Sequence, residues 1–135
     1  MNGPRTKSGR VQPCLMGGYD SLQDMTERLD AFVKERDWNQ FHSIKNLVAS
    51  IGIEAAELSE VVQWENPSTE EAKANPVLME KLAHEVADVM LYCVRLCSLT
   101  GLDPVAIMDE KFEVNSKKYP ADLVRGSSAK YTEYE

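Results

Sequence analysis

Two pairs of acidic residues interrupt two apolar runs of the 135-residue chain. Glu54 and Glu57 lie in the run GIEAAELSE, and Glu85 and Asp88 lie in HEVADV. The apolar residues of both runs recur at helical spacing, and residues three apart on a helix share a face. The chain must therefore fold so that each of two amphipathic helices carries two carboxylates beside its apolar side.

Four segments have apolar residues at helical spacing, and these predict four helices. The expected ranges are 21–37, 46–64 with Asn46 as its N-cap, 77–100, and 104–119. A polar loop with one turn of helix separates the second helix from the third, and no stretch alternates like a strand. We predict an all-α fold with a four-helix-bundle-type protomer that assembles into a dimer or tetramer. Oligomerisation is expected because a small bundle with acidic helices facing a substrate buries little apolar surface of its own.

Length and composition indicate one domain, which we place at residues 21–120. Residues 1–20 are expected to form a flexible arm, either natural or in part carried over from cloning, and residues 121–135 an irregular tail. The net charge of −7 argues against a general nucleic-acid-binding surface. No apolar run approaches the roughly 20 residues needed to cross a bilayer, and the N-terminus lacks a secretory apolar region. We expect a cytoplasmic protein that binds neither membranes nor nucleic acids.

The two acidic pairs are typical of a metal site. Glutamates on a helix are usually solvated, but these acids are flanked by apolar residues, and neither run offers a compensating series of Lys or Arg. Carboxylate ligands favour a hard cation, so we predict Mg²⁺, with Mn²⁺ as an alternative. A di-iron bundle would require Glu-x-x-His motifs, and the chain has none. His84 adjoins Glu85 and is expected to point off the shared face.

The motifs EAAE and EVAD resemble the metal signature of the all-α nucleoside triphosphate pyrophosphohydrolases, the MazG-like superfamily. The segments ERDWNQFHSIKNL, KFEVNSKKYP and RGSSAKYT are similar to its dCTP pyrophosphatase branch, and the resemblance extends over about residues 21–131. It implies a helical dimer or tetramer that uses Mg²⁺ to split a nucleoside triphosphate into the monophosphate and pyrophosphate. By the same resemblance, the metal ligands are Glu54, Glu57, Glu85 and Asp88.

In such a site the metal would neutralise the charge of the triphosphate and lower the pKa of an attacking water. A neighbouring carboxylate would accept the proton of that water, and Glu57 and Glu60 are the two candidates. The sequence does not choose between them, and it leaves open the number of metals and which phosphorus is attacked.

Aromatic residues near the acidic helices are candidates for the base and the sugar. Trp38 and Trp64 flank the first acidic helix and would stack on a base, although packing in a core or interface is an equal alternative. Tyr92 follows Asp88 by one turn and resembles a family tyrosine near the sugar, which favours deoxyribose. Leu29 stands where animal dCTP pyrophosphatases tend to have a histidine near the base, so a broader or different base range stays open.

A polar stripe on the fourth helix is the candidate for the phosphates. The resemblance implies that the segment with Lys111, Asn115, Lys118 and Tyr119 reaches them, although a solvated face is the alternative for the residues alone. Weaker candidates are His42, Lys45, Arg125 and Lys130, the last two acting across a subunit boundary. We therefore expect a dNTP pyrophosphohydrolase that serves nucleotide-pool house-cleaning, most plausibly with dCTP. The second hypothesis is a helical module that binds a nucleotide or a partner without turnover.

Overall fold

Helices make up the regular structure of residues 21–133, which are the residues that the computed structural model describes. In chain order they are α1 (Leu22–Glu35), α2 (Ile44–Glu60), α3 (Thr69–Ala74), α4 (Pro76–Thr100), α5 (Pro104–Lys118) and α6 (Ala121–Val124). Two 3₁₀ turns lie at Trp38–Phe41 and Tyr131–Glu133. No strand occurs among these residues, so the predicted all-α class is confirmed. The arm predicted for residues 1–20 lies outside the described range.

Side-chain caps set most helix starts. Ser21 accepts a hydrogen bond from the backbone N–H of Asp24 at 3.1 Å, and Asn75 accepts one from Leu78 at 3.1 Å. Asp103 caps α5 through the N–H groups of Val105 and Ala106. These caps and the N1 prolines of α4 and α5 account for how closely the predicted starts of these helices agree with the structure.

The prediction for α2 was wrong at both ends. Ser43, not Asn46, is its N-cap, because the Ser43 hydroxyl accepts from the Asn46 N–H at 3.1 Å. The helix ends at Glu60 rather than Trp64, since the backbone beyond it closes tighter turns such as Gln63 N–H to the Glu60 carbonyl at 3.2 Å.

Two smaller differences concern the end of α1 and the tail. Helix α1 ends at Glu35, before Asp37, whose φ of 53° is left-handed and turns the chain into the first 3₁₀ turn. The tail predicted to be irregular contains α6 and the second 3₁₀ turn within residues 121–133.

The core is thin and centres on α4. Helix α4 packs most extensively against α2 and also contacts α1 and α3. Within residues 21–133, the buried apolar side chains are Val33, Leu47, Leu78, Val94 and Cys97. All of them except Val33, which lies on α1, belong to the two helices that carry the acidic pairs.

No single helix in the described range is long and apolar enough to cross a membrane. Helices α4 and α5 pass that test of length and composition only as a pair, across a break bent by 103°.

Because Leu47 is only 1% exposed, we expect Leu47→Ala to leave a cavity between α2 and α4 and to lower the free energy of unfolding by about 2–5 kcal/mol. Urea denaturation followed by circular dichroism measures this loss. Leu123→Ala is the matched control, because Leu123 is 62% exposed and should lose well under 1 kcal/mol. Equal losses in both variants would contradict the assigned core.

Candidate metal and nucleotide site

The seam between α2 and α4 is formed by antiparallel helices, because His42, just before α2, bonds Arg95 near the end of α4, and Val62, just after α2, lines a cavity with Met79 and Leu82 near the start of α4. Leu47 and Glu54 are two helical turns apart on α2, and Leu78 and Glu85 are two turns apart on α4. Residues at this spacing lie on the same side of a helix. Leu47 and Leu78 therefore lie on opposite sides of the acidic residues along this seam, and the packing of the two helices brings Glu54 and Glu85 together between them.

Three carboxylates form a compact cluster at this seam. Glu54, Glu85 and Asp88 each offer one oxygen, and the three oxygens all lie within 4.8 Å of one another. Two oxygens on opposite sides of a Mg²⁺ ion are about 4.2 Å apart, twice the usual Mg–O distance. Small side-chain rotations would thus suffice for all three to bind one ion.

The cluster carries uncompensated negative charge. The Oε2 atom of Glu85 is buried and has no hydrogen-bond partner. The pKa of Glu54 is raised, first by burial and then by the negative charges of Glu57, Asp88 and Glu85 and by a hydrogen bond with Glu57. Among residues 21–133, no Lys or Arg forms an ion pair with these acids. A buried oxygen without a partner and mutually repelling carboxylates fit a divalent cation.

Glu57 and Glu60 differ in their relation to this cluster. Glu57 is exposed and lies outside the group of three, but it is close enough to Glu54 to raise its pKa. Glu60 is exposed at the last residue of α2, and nothing in the described structure joins it to the cluster.

A cavity of about 210 Å³ adjoins the cluster at Asp88. Three of the predicted substrate-binding residues, Trp38, His42 and Tyr92, line it together with Leu29. The side chains come from α1, the first 3₁₀ turn and α4, so only the folded chain brings them together. An aromatic cavity beside a carboxylate cluster that could hold a cation suits a ligand with a flat ring at one end and, against the cation, negative charge at the other.

Sequence reasoning missed a polar network on the wall of this cavity. Arg95 also lines the cavity and is only 6% exposed. Its guanidinium forms an ion pair with Asp30 at 2.8 Å, donates to His42 Nδ1 at 3.1 Å, and donates to the Asn39 side-chain oxygen. The available signal was a single arginine inside the apolar run LYCVRLCS, three residues after Tyr92.

Other predicted residues are not brought to the cavity within the protomer. Trp64 follows α2 and is 88% exposed, and Lys45 is exposed in the first turn of α2. Lys111 and Asn115 line an open groove on α5 with Met108 and Phe112.

The candidates near the chain end form a separate group. The Lys118 ammonium lies 4.9 Å from the centre of the Tyr131 ring, and the Tyr119 ring packs edge-on against Tyr131 at 6.2 Å. Arg125 and Lys130 are exposed in the segment that follows. No ion pair or hydrogen bond in residues 21–133 joins this group to the acidic cluster.

Comparisons with known proteins agree with this architecture. The MazG-like family matches residues 49–134. The chain is 36% identical over 115 residues to dCTP pyrophosphatase 1 of Homo sapiens, covering 84% of this chain and 67% of that protein. It is 32% identical over 133 residues to dCTP pyrophosphatase 1 of Rattus norvegicus, covering 98% of this chain and 78% of that protein.

A solved structure is similar as well. The crystal structure of a pyrophosphatase from Archaeoglobus fulgidus superimposes with a TM-score of 0.67 at 35% sequence identity, covering 73% of this chain and 92% of that one. The family match covers both acidic pairs, the whole of α4, and α2 from residue 49 onward. The chain belongs to the MazG-like family.

Proposed function

We propose that this protein is a Mg²⁺-dependent pyrophosphohydrolase that converts deoxynucleoside triphosphates, dCTP first among them, to the monophosphate and pyrophosphate. The observation that carries the proposal is the carboxylate cluster of Glu54, Glu85 and Asp88 beside an aromatic cavity. Family membership and the activity for which the dCTP pyrophosphatase relatives are named support the same reaction. We also propose that the protein is cytoplasmic, as expected from the sequence.

Glu54, Glu85 and Asp88 would hold the cation, with Glu57 beside them as a fourth ligand or as a base. When bound, Mg²⁺ would supply positive charge against the triphosphate and make a nearby water more acidic; Mn²⁺ would serve similarly. Glu57, next to Glu54, is better placed than Glu60 to accept the proton of that water. The raised pKa of Glu54 means that burial and neighbouring negative charges destabilise its ionised form, and a bound cation would offset this destabilisation.

The cavity would hold the base and the sugar. Trp38 and Tyr92 offer aromatic faces on which a base can stack, a contact worth about 1–3 kcal/mol for any base. Leu29 offers only apolar contact, so polar recognition would fall to His42 and its neighbours. The exact base, including a modified one, is left to the substrate panel described below.

Completion of the site would require a second subunit. Helix α5 exposes Val105, Met108 and Phe112, which lie on one side of the helix at spacings of three and four. Such a face, together with the thin core, supports a symmetric dimer or dimer of dimers. In that assembly the remaining predicted residues of one protomer would be available to the phosphates or base at the site of another. These residues are Lys45, Trp64, Lys111, Asn115, Lys118, Tyr119, Arg125 and Lys130.

We expect the purified protein to release pyrophosphate from dNTPs only when Mg²⁺ is present. Glu57→Ala should lower kcat about 10²–10⁴-fold while leaving the circular dichroism spectrum unchanged. Glu80→Ala is the matched control on α4, since Glu80 is exposed and outside the cluster. A coupled pyrophosphate assay on a panel of dNTPs and NTPs ranks the base and the sugar together. Tight nucleotide binding without any turnover would favour the non-catalytic binding module instead.

Removing the charge of Glu54 should stabilise the metal-free protein and weaken its binding of Mg²⁺. A carboxyl whose folded-state pKa is raised stabilises the fold below its ordinary pKa, and this contribution is lost as the pH rises through the raised value. At pH 7, Glu54→Gln should therefore raise the Tm of the metal-free protein. The variant should also lose the stabilisation by Mg²⁺, which for the unaltered protein is about 2.7 kcal/mol at 100 times Kd. Differential scanning calorimetry with and without Mg²⁺ measures both effects, and an equal Mg²⁺ shift in both proteins would contradict the ligand assignment.

Light scattering should give a mass of about two or four times the protomer mass of 15.2 kDa. Phe112→Asp should reduce this mass to that of one protomer, because Phe112 is 69% exposed on the apolar face of α5. Glu113→Ala, its exposed neighbour, serves as the control and should keep the assembly. A single-protomer mass for the unaltered protein would overturn the oligomer proposal.

A further inference from the structure

Arg95 is the only buried charged side chain in the described part of the chain. It extends from α4 into the wall of the cavity and donates to groups in three places. Its partners are Asp30 of α1, Asn39 of the first 3₁₀ turn, and His42. One guanidinium thus ties together the elements that supply Trp38 and Tyr92.

The charge of Arg95 is already balanced. Asp30 accepts from Arg95 through one oxygen at 2.8 Å and from the Ser98 hydroxyl through the other at 2.6 Å. A guanidinium paired in this way is not a free cation for a phosphate. Its distinctive contact is the one to His42.

That contact determines which ring nitrogen of His42 carries the proton. Arginine stays protonated in proteins, so its Nε–H can only donate. The acceptor, His42 Nδ1, therefore carries no proton, and the proton of the neutral ring lies on Nε2. Burial, and next the charge of Arg95, lower the pKa of His42, which keeps the ring neutral near pH 7. Nε2 makes no hydrogen bond to residues 21–133 and is the ring nitrogen left for a ligand.

The geometry points to Arg95 as a positioning residue that holds His42 as a neutral hydrogen-bond donor toward an acceptor atom of the bound nucleoside. Asp30 fixes the guanidinium, and the guanidinium fixes the imidazole. This inference rests on the proposed function, because it assigns the cavity to the base or sugar. It supplies the polar recognition that Leu29 cannot provide.

Ring ¹⁵N chemical shifts measured without substrate test the first half of this inference. The chain has two histidines, and His84→Gln assigns them. At pH 7, His42 should show an unprotonated Nδ1 and a protonated Nε2. The double variant Asp30→Asn with Arg95→Met avoids an unpaired buried charge, and in it the His42 shifts should move toward the tautomer-averaged values of exposed His84. A protonated Nδ1 in the unaltered protein would overturn the inference, even if the variant fails to fold.

Steady-state kinetics with dCTP tests the second half. The double variant should raise KM about 3- to 10-fold, as expected for one lost hydrogen bond, while kcat changes less than about 2-fold. When the same pair of changes is combined with His42→Ala, KM should rise less than about 2-fold above its value in His42→Ala alone, because Arg95 acts through His42. Lys81→Met, which removes an exposed cation from the same helix, is the control and should leave both constants unchanged.

The outcomes separate the two proposals. Additive losses in the His42→Ala background would mean that Arg95 contacts the substrate itself, and an unchanged KM would mean that it has no role in binding; either result overturns the inference. If the unaltered protein hydrolyses no dNTP, the proposed function fails. In that case the protein is titrated with dCMP and the ¹⁵N chemical shift of His42 Nε2 is followed. An unchanged shift would overturn the inference.

Discussion

The packing of α2 against α4 is the constraint on which the rest of the structure depends. Leu47 and Leu78 are buried on opposite sides of the acidic residues, and between them the contact of the two antiparallel helices is made by Glu54 and Glu85. Facing carboxylates repel in a partly desolvated site, so the energy gained from the leucines holds the acids in an unfavourable arrangement. The raised pKa of Glu54 and the unpaired oxygen of Glu85 both indicate this unfavourable arrangement. A cation that binds there relieves the repulsion, which couples metal binding to stability.

The cavity beside the cluster has both aromatic and polar lining residues. In the proposed function, Trp38 and Tyr92 would give contact area that any base can use, whereas His42, held by Arg95, would give a directional hydrogen bond. The Arg95–Asp30 pair, in which only the arginine is buried, is weak evidence for stability, because desolvation of the guanidinium offsets much of the attraction between the two charges. In the role proposed above, the pair fixes His42 as a donor, and a fixed donor would discriminate among ligands in a way that stacking does not.

Much of the fold was predictable because its signals are local. Apolar spacing gave the all-α class, and the start of α5 was predicted to the residue at Pro104, where Asp103 caps the helix. Ser43 was missed as the cap of α2 because Asn46, an equally good capping residue, follows three positions later. The resemblance of EAAE and EVAD to the family is confirmed by the MazG-like match over residues 49–134.

The site was predictable where its residues follow helical periodicity or, as for Trp38 and His42, lie in the connection beside the first acidic helix. The acids at Glu54, Glu85 and Asp88 and the aromatic residue Tyr92 lie at helical spacings, and the structure brings them to one place. Arg95 was missed because its partner Asp30 is 65 residues away along the chain, a distance at which spacing carries no information. The positions of Lys111 and Lys118 relative to the acids depend on the bend between α4 and α5 and on subunit assembly, neither of which a helical repeat specifies.

Anomalous diffraction from crystals grown with Mn²⁺ would test the central claim most directly. The account predicts a manganese peak in the seam between α2 and α4, within about 2.3 Å of carboxylate oxygens of Glu54, Glu85 and Asp88. A map with no peak at that seam under saturating Mn²⁺, or with the three carboxylates turned apart into solvent, would contradict it.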